Sequence, residues 1–150
     1  MLFRRISRTD PEKIFIIVKN SWSTASLTNG QCVQFDFLTD VDGVGVSKPS
    51  GMATNLGNAC AGIAAETIVF DDYGRVQCYG YHASVIARAC TSADAIALGS
   101  GLRPALSATN AFNVEGADPD GTLNYHAIGF ALSIWSSWTT TRITAFIKAL

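Results

Sequence analysis

Cysteine and histidine are the residue types in this sequence that could together support nucleophilic catalysis. The chain contains His82 and His126, with Cys78 close in sequence to His82 and Cys60 close to Glu66. A thiolate nucleophile needs a base within hydrogen-bonding distance. Residues four apart on a strand share a face but lie about 13 Å apart, because each residue advances a strand by about 3.3 Å. Cys78 and His82 are therefore not expected to react as a pair, and each histidine is expected to be hydrogen-bonded within the fold or exposed.

The sequence also lacks two motifs of established enzyme classes. Neither a G-x-S-x-G turn nor an H-E-x-x-H helix occurs in the sequence. The glycine-rich segment Gly99–Gly101 could suggest a phosphate-binding loop, but no Lys-Ser or Lys-Thr pair follows it, and Pro104 prevents a helix from starting there. We expect no catalytic residues, no enzymatic activity and no nucleotide or other cofactor.

The acidic segment 40–46 resembles a calcium-binding loop at first sight. An EF-hand loop takes oxygen ligands at positions 1, 3 and 5, a glycine at 6 and a glutamate at 12. Counted from Asp40, the fifth residue is Val44 and the twelfth is Gly51. The ligand set is incomplete, so the carboxylates are expected to accept hydrogen bonds from backbone N–H groups in a turn. No metal site is predicted here.

Four cysteines are present, and none belongs to a C-x-x-C pair of the kind that most structural zinc sites use. They are Cys32, Cys60, Cys78 and Cys90. We expect small buried thiols. Disulfides remain an alternative if the protein matures outside a reducing cell.

Charge and hydropathy limit the partners. The net charge of −1 provides no long-range attraction to nucleic acid or to an anionic membrane. No apolar run reaches the roughly 20 residues of a membrane-spanning helix, and Lys19 interrupts the apolar run Ile14–Val18, which argues against a signal peptide. A cytoplasmic product is expected, with no nucleic acid and no membrane as partners. Because only 15% of the 150 residues are charged, we expect another chain to cover part of the apolar surface.

The clearest structural element is a predicted β-hairpin over Ala61–Gly80. Its second arm alternates apolar and polar residues with the period of two that is typical of a half-buried strand. Between the arms stands Asp71-Asp72-Tyr73-Gly74, in which the glycine can adopt positive φ and the acidic residues can bond the local backbone. Two further versions of this strand and Gly-turn unit are indicated at Ile96–Ala105 and Ala127–Lys148.

Several other short runs have strand patterns. They are Lys13–Asn20, Gln31–Leu38, the segment beginning Val44–Val46, and Thr141–Leu150. The number of such runs predicts an all-β fold, a small barrel or a sandwich. We divide the chain into a basic N-terminal arm, residues 1–12, and a single β-domain, residues 13–150. Residues 105–120 form a long connection, which is typical of a binding loop or of a segment ordered by a neighbour.

Two tryptophans stand in Ser/Thr-rich segments and are candidates for a protein interface, Trp22 and Trp138. Aromatic residues are enriched at the cores of interfaces. The alternative is that each packs in the core of the domain, which is the more common place for a lone aromatic residue in a β-protein. Trp135 is a weaker interface candidate, because it follows an apolar run.

A series of short phrases is similar to small virion proteins of tailed bacteriophages, namely capsid decoration (cement) proteins built on a β-tulip-like domain. The phrases occur in this order: KIFIIVKN, SLTNGQCVQFD, DGVGVSKPS, CAGIAAETI, DYGRVQCYGY, IALGSGL, HAIGFAL and TRITAFIKAL. The resemblance runs from Lys13 to the end and leaves the arm uncovered. It implies a small β-barrel or β-tulip-like fold and a non-enzymatic protein on the capsid surface of the virion. It also implies a homo-oligomer, commonly a trimer or dimer, that clamps neighbouring major capsid protein subunits.

The basic arm could extend that contact. Leu2 and Phe3 are apolar enough to enter grooves of a capsid protein, and Arg4, Arg5 and Arg8 could pair with its carboxylates. An arm of this composition cannot bury enough surface to fold alone, so it would order only on binding. The alternative is a frayed terminus without function. For the whole protein, the alternative is a receptor-binding module or a head-fibre or tail component of a phage.

Overall fold

The computed structural model describes residues 12–22, 25–37, 40, 42–49, 59–88, 95–104, 114–116, 127–135 and 139–149. These residues form β-strands and no α-helix, which confirms the all-β prediction. The strands are β1 (Lys13–Asn20), β2 (Cys32–Phe35), β3 (Gly45–Ser47), β4 (Cys60–Ala64), β5 (Tyr73–Arg88), β6 (Gly101–Pro104), β7 (Val114–Gly116), β8 (Gly129–Ala131) and β9 (Thr141–Lys148). Within the same ranges, no helix has the length and apolar character needed to cross a membrane.

The sheet closes on itself twice through β5. The strand order is β1-β3-β2-β4-β5-β7-β6-β8-β9, and both β1 and β9 also pair with β5. The result is not one simple barrel but two rings of five strands that share β5. The first ring contains β1 to β5 and the second contains β5 to β9. Sharing is possible because β5 has 16 residues, about three times the usual strand length.

The two rings repeat one topology. In each ring, the first strand (β1 or β5) pairs antiparallel with the last strand (β5 or β9) and parallel with the third (β3 or β7). The second strand (β2 or β6) pairs antiparallel with the third and the fourth (β4 or β8), and the fourth pairs antiparallel with the last. The described strands of residues 13–80 and 81–148 are therefore arranged in the same way, and we call these two ranges the first and the second half.

The equivalence extends to single hydrogen bonds. The Gly30 N–H donates to the Ala64 carbonyl in the first half, and the Gly99 N–H donates to the Ala131 carbonyl in the second. Both donor–acceptor distances are 2.8 Å. An isolated bridge joins Leu27 to Ile68 in the first half, and a matching bridge involves Ile96 and Trp135 in the second. Segment 127–148 is thus the equivalent of the predicted hairpin, whereas segment 96–105 is the equivalent of residues 27–36.

Each half contributes a buried core. The first core consists of Val18, Leu27, Val33, Val46, Ala61, Ile68 and Val76. The second consists mainly of Val85, Ala87, Ile96, Leu102, Ile128, Ala131, Ile143, Ala145 and Ile147. Three side chains of the first half also belong to the second core: Cys32, Cys60 and Ile63. The outer side of β2 and β4 is therefore covered by the second half of the chain.

The predicted hairpin is present, but its turn differs from the expectation. Asp71, and not Gly74, adopts the positive φ, at 67°. Gly74 lies within β5, where a Cβ would be 2.5 Å from the Ile68 side chain. The glycine is therefore needed for space and not for the turn. Asp71 can replace it in the turn because a short polar side chain tolerates the left-handed conformation.

Candidate protein-binding surface

The outer face of β1 exposes large apolar side chains. Ile16 and Val18 face the first core, and the alternation of the strand turns Phe15 and Ile17 outward. Ile17 and Tyr73 of β5 are each 62% exposed. These exposed residues stand on a closed part of the sheet, since β1 pairs on one side with β3 and on the other with β5. The β1 face, defined as Phe15, Ile17 and Tyr73, is an apolar surface that directly follows the arm in sequence.

Cations lie against the aromatic rings of this region. The Arg75 guanidinium is 5.7 Å from the centre of the Phe15 ring, and the Lys13 ammonium is 5.9 Å from the centre of the Tyr81 ring. Arg75 also holds Glu66 through two side-chain hydrogen bonds of 3.0 and 3.3 Å. These bonds lower the pKa of the Glu66 carboxyl. The β1 face is thus bordered by the Lys13 ammonium and by the Arg75–Glu66 ion pair.

A pocket of about 230 Å³ opens beside the β1 face. Its polar lining side chains are Lys13, Asn29, Arg75, Gln77, His82 and Ser84. In the part of the chain that the structure describes, no carboxylate lines the pocket. The lining would therefore accept an acidic group of a partner more readily than a basic one.

His82 is buried in the pocket wall, and its Nδ1 accepts a hydrogen bond from the Ser84 N–H at 3.1 Å. Burial lowers the pKa of His82, and the nearby charges of Lys13 and Arg142 lower it further. The imidazole is therefore neutral near pH 7 and serves as a structural group.

The nearby thiol does not form a catalytic pair with this histidine. The Cys78 Sγ lies 3.4 Å from the Ile14 carbonyl oxygen and donates to it, while the His82 Nδ1 accepts a hydrogen bond from the Ser84 N–H. Burial raises the pKa of Cys78, which disfavours the nucleophilic thiolate. The geometry thus agrees with the expectation that Cys78 and His82 would not act together.

Arg142 fixes one wall of the pocket. Its Nη1 donates to the Ser84 Oγ at 2.9 Å and to the Asn29 carbonyl at 3.0 Å. It thereby connects β9, the turn before β2, and the irregular part of β5 that follows His82. The pairing of β5 with β9 shifts register between His82 and Val85, and this bulge directs Ser84 toward the pocket.

Of the predicted interface residues, Trp22 is described and is half-buried against the first core. The residues Leu2, Phe3, Arg4, Arg5, Arg8 and Trp138 lie outside the described residues. Trp135 packs against the second core, and its Nε1 donates to the Thr139 carbonyl at 3.1 Å. An interface role for Trp22 stays a prediction.

The acidic segment behaves as a turn. The Asp40 Oδ1 accepts a hydrogen bond from the Asp42 N–H at 3.1 Å, as the sequence predicts. Throughout the described ranges, no group of three or more His, Cys, Asp or Glu residues could hold a metal ion.

Three cysteines are buried free thiols: Cys32, Cys60 and Cys78. This confirms the expectation for those three, while Cys90 lies outside the described residues. The Sγ atoms of Cys32 and Cys60 lie 3.4 Å apart. The hydrogen bond between them, together with burial, raises the pKa of Cys32 well above its usual value.

A second aromatic surface, formed mainly by the second half of the chain, was not predicted from the sequence. Phe130 and Phe146 stack with their ring centres 5.1 Å apart, and Tyr79 meets Phe146 edge-on at 5.1 Å. Phe130 and Leu132, two residues further on, are exposed, while Tyr79 and Phe146 are half-buried. We call Tyr79, Phe130, Leu132 and Phe146 the aromatic face.

The chain is similar in fold to a solved phage structure, although its sequence matches no family. No protein-family model matches the sequence, and no curated protein matches it. Among solved structures, the fold is similar to the crystal structure of the head fiber gp8.5 N base in bacteriophage phi29. The match has a TM-score of 0.52 and 13% sequence identity, and it covers 92% of this chain and 96% of that one. At this level of identity, the chain shares the fold of that head fiber base.

Proposed function

We propose that this protein is a structural component of a bacteriophage virion that binds the outer face of the capsid shell. In this role it is a decoration or cement protein that stabilises contacts between major capsid protein subunits. The observation that carries the proposal is the fold similarity to a head fiber base over nearly the full length of both chains. The absence of a catalytic pairing between Cys78 and His82 supports a non-enzymatic role.

The β1 face is the surface that best suits shell binding. It exposes Phe15, Ile17 and Tyr73 on a closed sheet. Because the backbone of these residues is already ordered by strand pairing, little further backbone entropy is lost on binding. Lys13 and Arg75 beside them suit a partner with carboxylates around an apolar patch. The arm ends at residue 12, directly before Lys13, so the arm and the β1 face could contact one shell together.

The contacts assigned to the arm remain part of this proposal. Leu2 and Phe3 would enter apolar grooves of the shell, while Arg4, Arg5 and Arg8 would pair with its carboxylates. A protein held in this way would act as a homo-oligomer, a trimer or dimer, that bridges adjacent major capsid protein subunits.

A head-fibre component is the second candidate, and the same structural similarity favours it equally. The two roles differ in geometry. A cement protein lies flat across the junction of capsid subunits in many copies over the shell, whereas a receptor-binding module carried by a head fibre or a tail occurs in few copies at one site on the particle. Both roles would place the protein in the virion after synthesis in the host cytoplasm.

A cryo-EM map of purified particles would test the proposal directly. We expect density for the β-domain over the shell, with β1 toward the capsid protein. Substituting Ile17→Asp should lower the occupancy of stripped shells, and Leu98→Asp, an equally exposed apolar position in a turn, should not. Purified heads that lack the protein would overturn the proposal.

A further inference from the structure

The two equivalent halves differ in how much of one surface is covered. In the first half, the outer side of β2 and β4 presents Cys32 and Ile63, and both are 0% exposed because the second half packs over them. Gln77 of β5, the register partner of Ile63, is also buried. This surface thus functions as an interface within the chain.

In the second half, the same surface is open. The register Gly101↔Phe130 corresponds to Cys32↔Ile63, so Phe130 is the equivalent of Ile63. Phe146 is in turn the equivalent of Gln77, because Phe146 pairs with Phe130 and Gln77 pairs with Ile63. Phe130 is 38% exposed. The aromatic face therefore occupies the position that, in the first half, is covered by a unit of the same topology.

The aromatic face has the properties of an interface core. Its rings are held by stacking and edge contacts with each other, so they are ordered before any partner binds. Aromatic side chains that are already ordered contribute strongly to association, because little rotamer freedom remains to be lost.

The aromatic face and the end of β1 in the first half expose opposite charges. Lys148 is exposed and pairs in register with Tyr79 at the edge of the aromatic face. Asp42 and Asp72 are exposed near the end of β1, where the Lys19 N–H bonds the Val44 carbonyl and the Asn20 N–H bonds the Asp72 carbonyl, while the neighbouring Asp71 is paired with Lys19. A contact between the aromatic face of one copy and the first half of another would bring opposite charges together, whereas two aromatic faces in contact would bring lysines together.

We propose that the aromatic face binds the first half of a second copy of this chain. The occupant follows from the fold itself, since a unit of this topology already covers the equivalent face within the chain. The contact joins two different surfaces, so it is heterologous and produces a closed ring or a linear series of copies. This inference builds on the homo-oligomer of the proposed function by assigning its contact surfaces, and it can be tested on the isolated protein without a shell.

Sedimentation velocity over a range of concentrations is the first test. We expect wild-type protein to self-associate, and Phe130→Asp to weaken the association at least about 10-fold, as loss of an interface hot spot does. Phe130 is already exposed, so the variant should keep its circular dichroism spectrum. Leu98→Asp is the matched control and should associate like the wild type. A wild-type protein that stays monomeric at all concentrations, or equal loss in both variants, would overturn the proposal.

A mixing experiment tests the heterologous geometry. The double variant Asp42→Lys, Asp72→Lys should lose association while keeping its aromatic face, and Phe130→Asp keeps its first half. Each variant alone should be monomeric, and an equimolar mixture should form a 1:1 dimer, because one intact contact remains. If the mixture stays monomeric while the wild type associates, the first half is not the occupant.

Discussion

Gly30 and Gly99 occupy equivalent turns in the two halves of the chain, but only Gly30 is enclosed by other atoms. Their φ angles are similar, at 91° and 81°. A Cβ added to Gly30 would lie 2.2 Å from the Ser84 carbonyl oxygen, whereas no atom of the described residues lies within 4 Å of a Cβ added to Gly99. The two positions therefore share a left-handed backbone conformation, but only Gly30 is also closely packed.

Alanine substitutions at these glycines should differ in their effect on stability. Gly99→Ala is expected to cost roughly 1–2 kcal/mol, the strain of a left-handed alanine. Gly30→Ala is expected to cost about 3–5 kcal/mol, because the Ser84 backbone must also move. Urea denaturation of both variants measures the difference. Equal losses would show that the enclosure of Gly30 has no energetic effect.

Stability should decrease as the pH falls below the ordinary His82 value of 6.5. Burial lowers the pKa of His82 in the folded protein, so in this window the unfolded chain binds the proton more readily, and acid favours unfolding. Protonation of Nδ1 would also break the bond from the Ser84 N–H. His82→Gln should flatten the pH dependence of the free energy of unfolding in this window. An NMR titration that places the His82 pKa above 6.5 would contradict this.

The buried thiols should be protected in the native protein. Reducing agent is expected to leave the melting temperature nearly unchanged, because Cys32, Cys60 and Cys78 are free. The raised pKa of Cys32 should make its alkylation slow at mildly alkaline pH and fast in denaturant. Mass spectrometry after timed alkylation reports both rates. A large drop in melting temperature on reduction would reveal a disulfide.

Deletion of residues 2–10 should separate folding from shell binding. We expect the truncated protein to keep its melting temperature, since the arm has no apolar periodicity and cannot fold alone. Occupancy of stripped shells should fall, most clearly at low ionic strength, where Arg4, Arg5 and Arg8 would contribute most. Equal occupancy by truncated and intact protein would refute a role for the arm.

The alternation of apolar and polar residues was sufficient to predict some strands, but it did not show that β5 belongs to both rings. The runs Lys13–Asn20 and Thr141–Leu150 have clear alternation, and β1 and β9 form there. The predicted hairpin ended at Gly80, because a glycine in an apolar run reads as the end of a strand. β5 instead continues to Arg88, and Gly80 adopts a φ of 101° where the Glu12 carbonyl approaches closely. Only the folded chain shows that approach.

The aromatic face was missed for a related reason. Alternation along β9 places Ile143, Ala145 and Ile147 on one side of the strand, and all three are buried. It could not show whether Phe146, on the other side, would be covered as Gln77 is in the first half. That difference depends on which unit packs over the sheet, and strand periodicity contains no information about it.

The shared strand β5 also determines how the molecule should come apart. Its first residues form a wall of the first ring and its last residues form a wall of the second, so neither ring is complete without it. Loss of the second half would expose Cys32, Cys60 and Ile63 to water. Two separate cores are therefore expected to melt as one cooperative unit, with calorimetric and van't Hoff enthalpies in agreement.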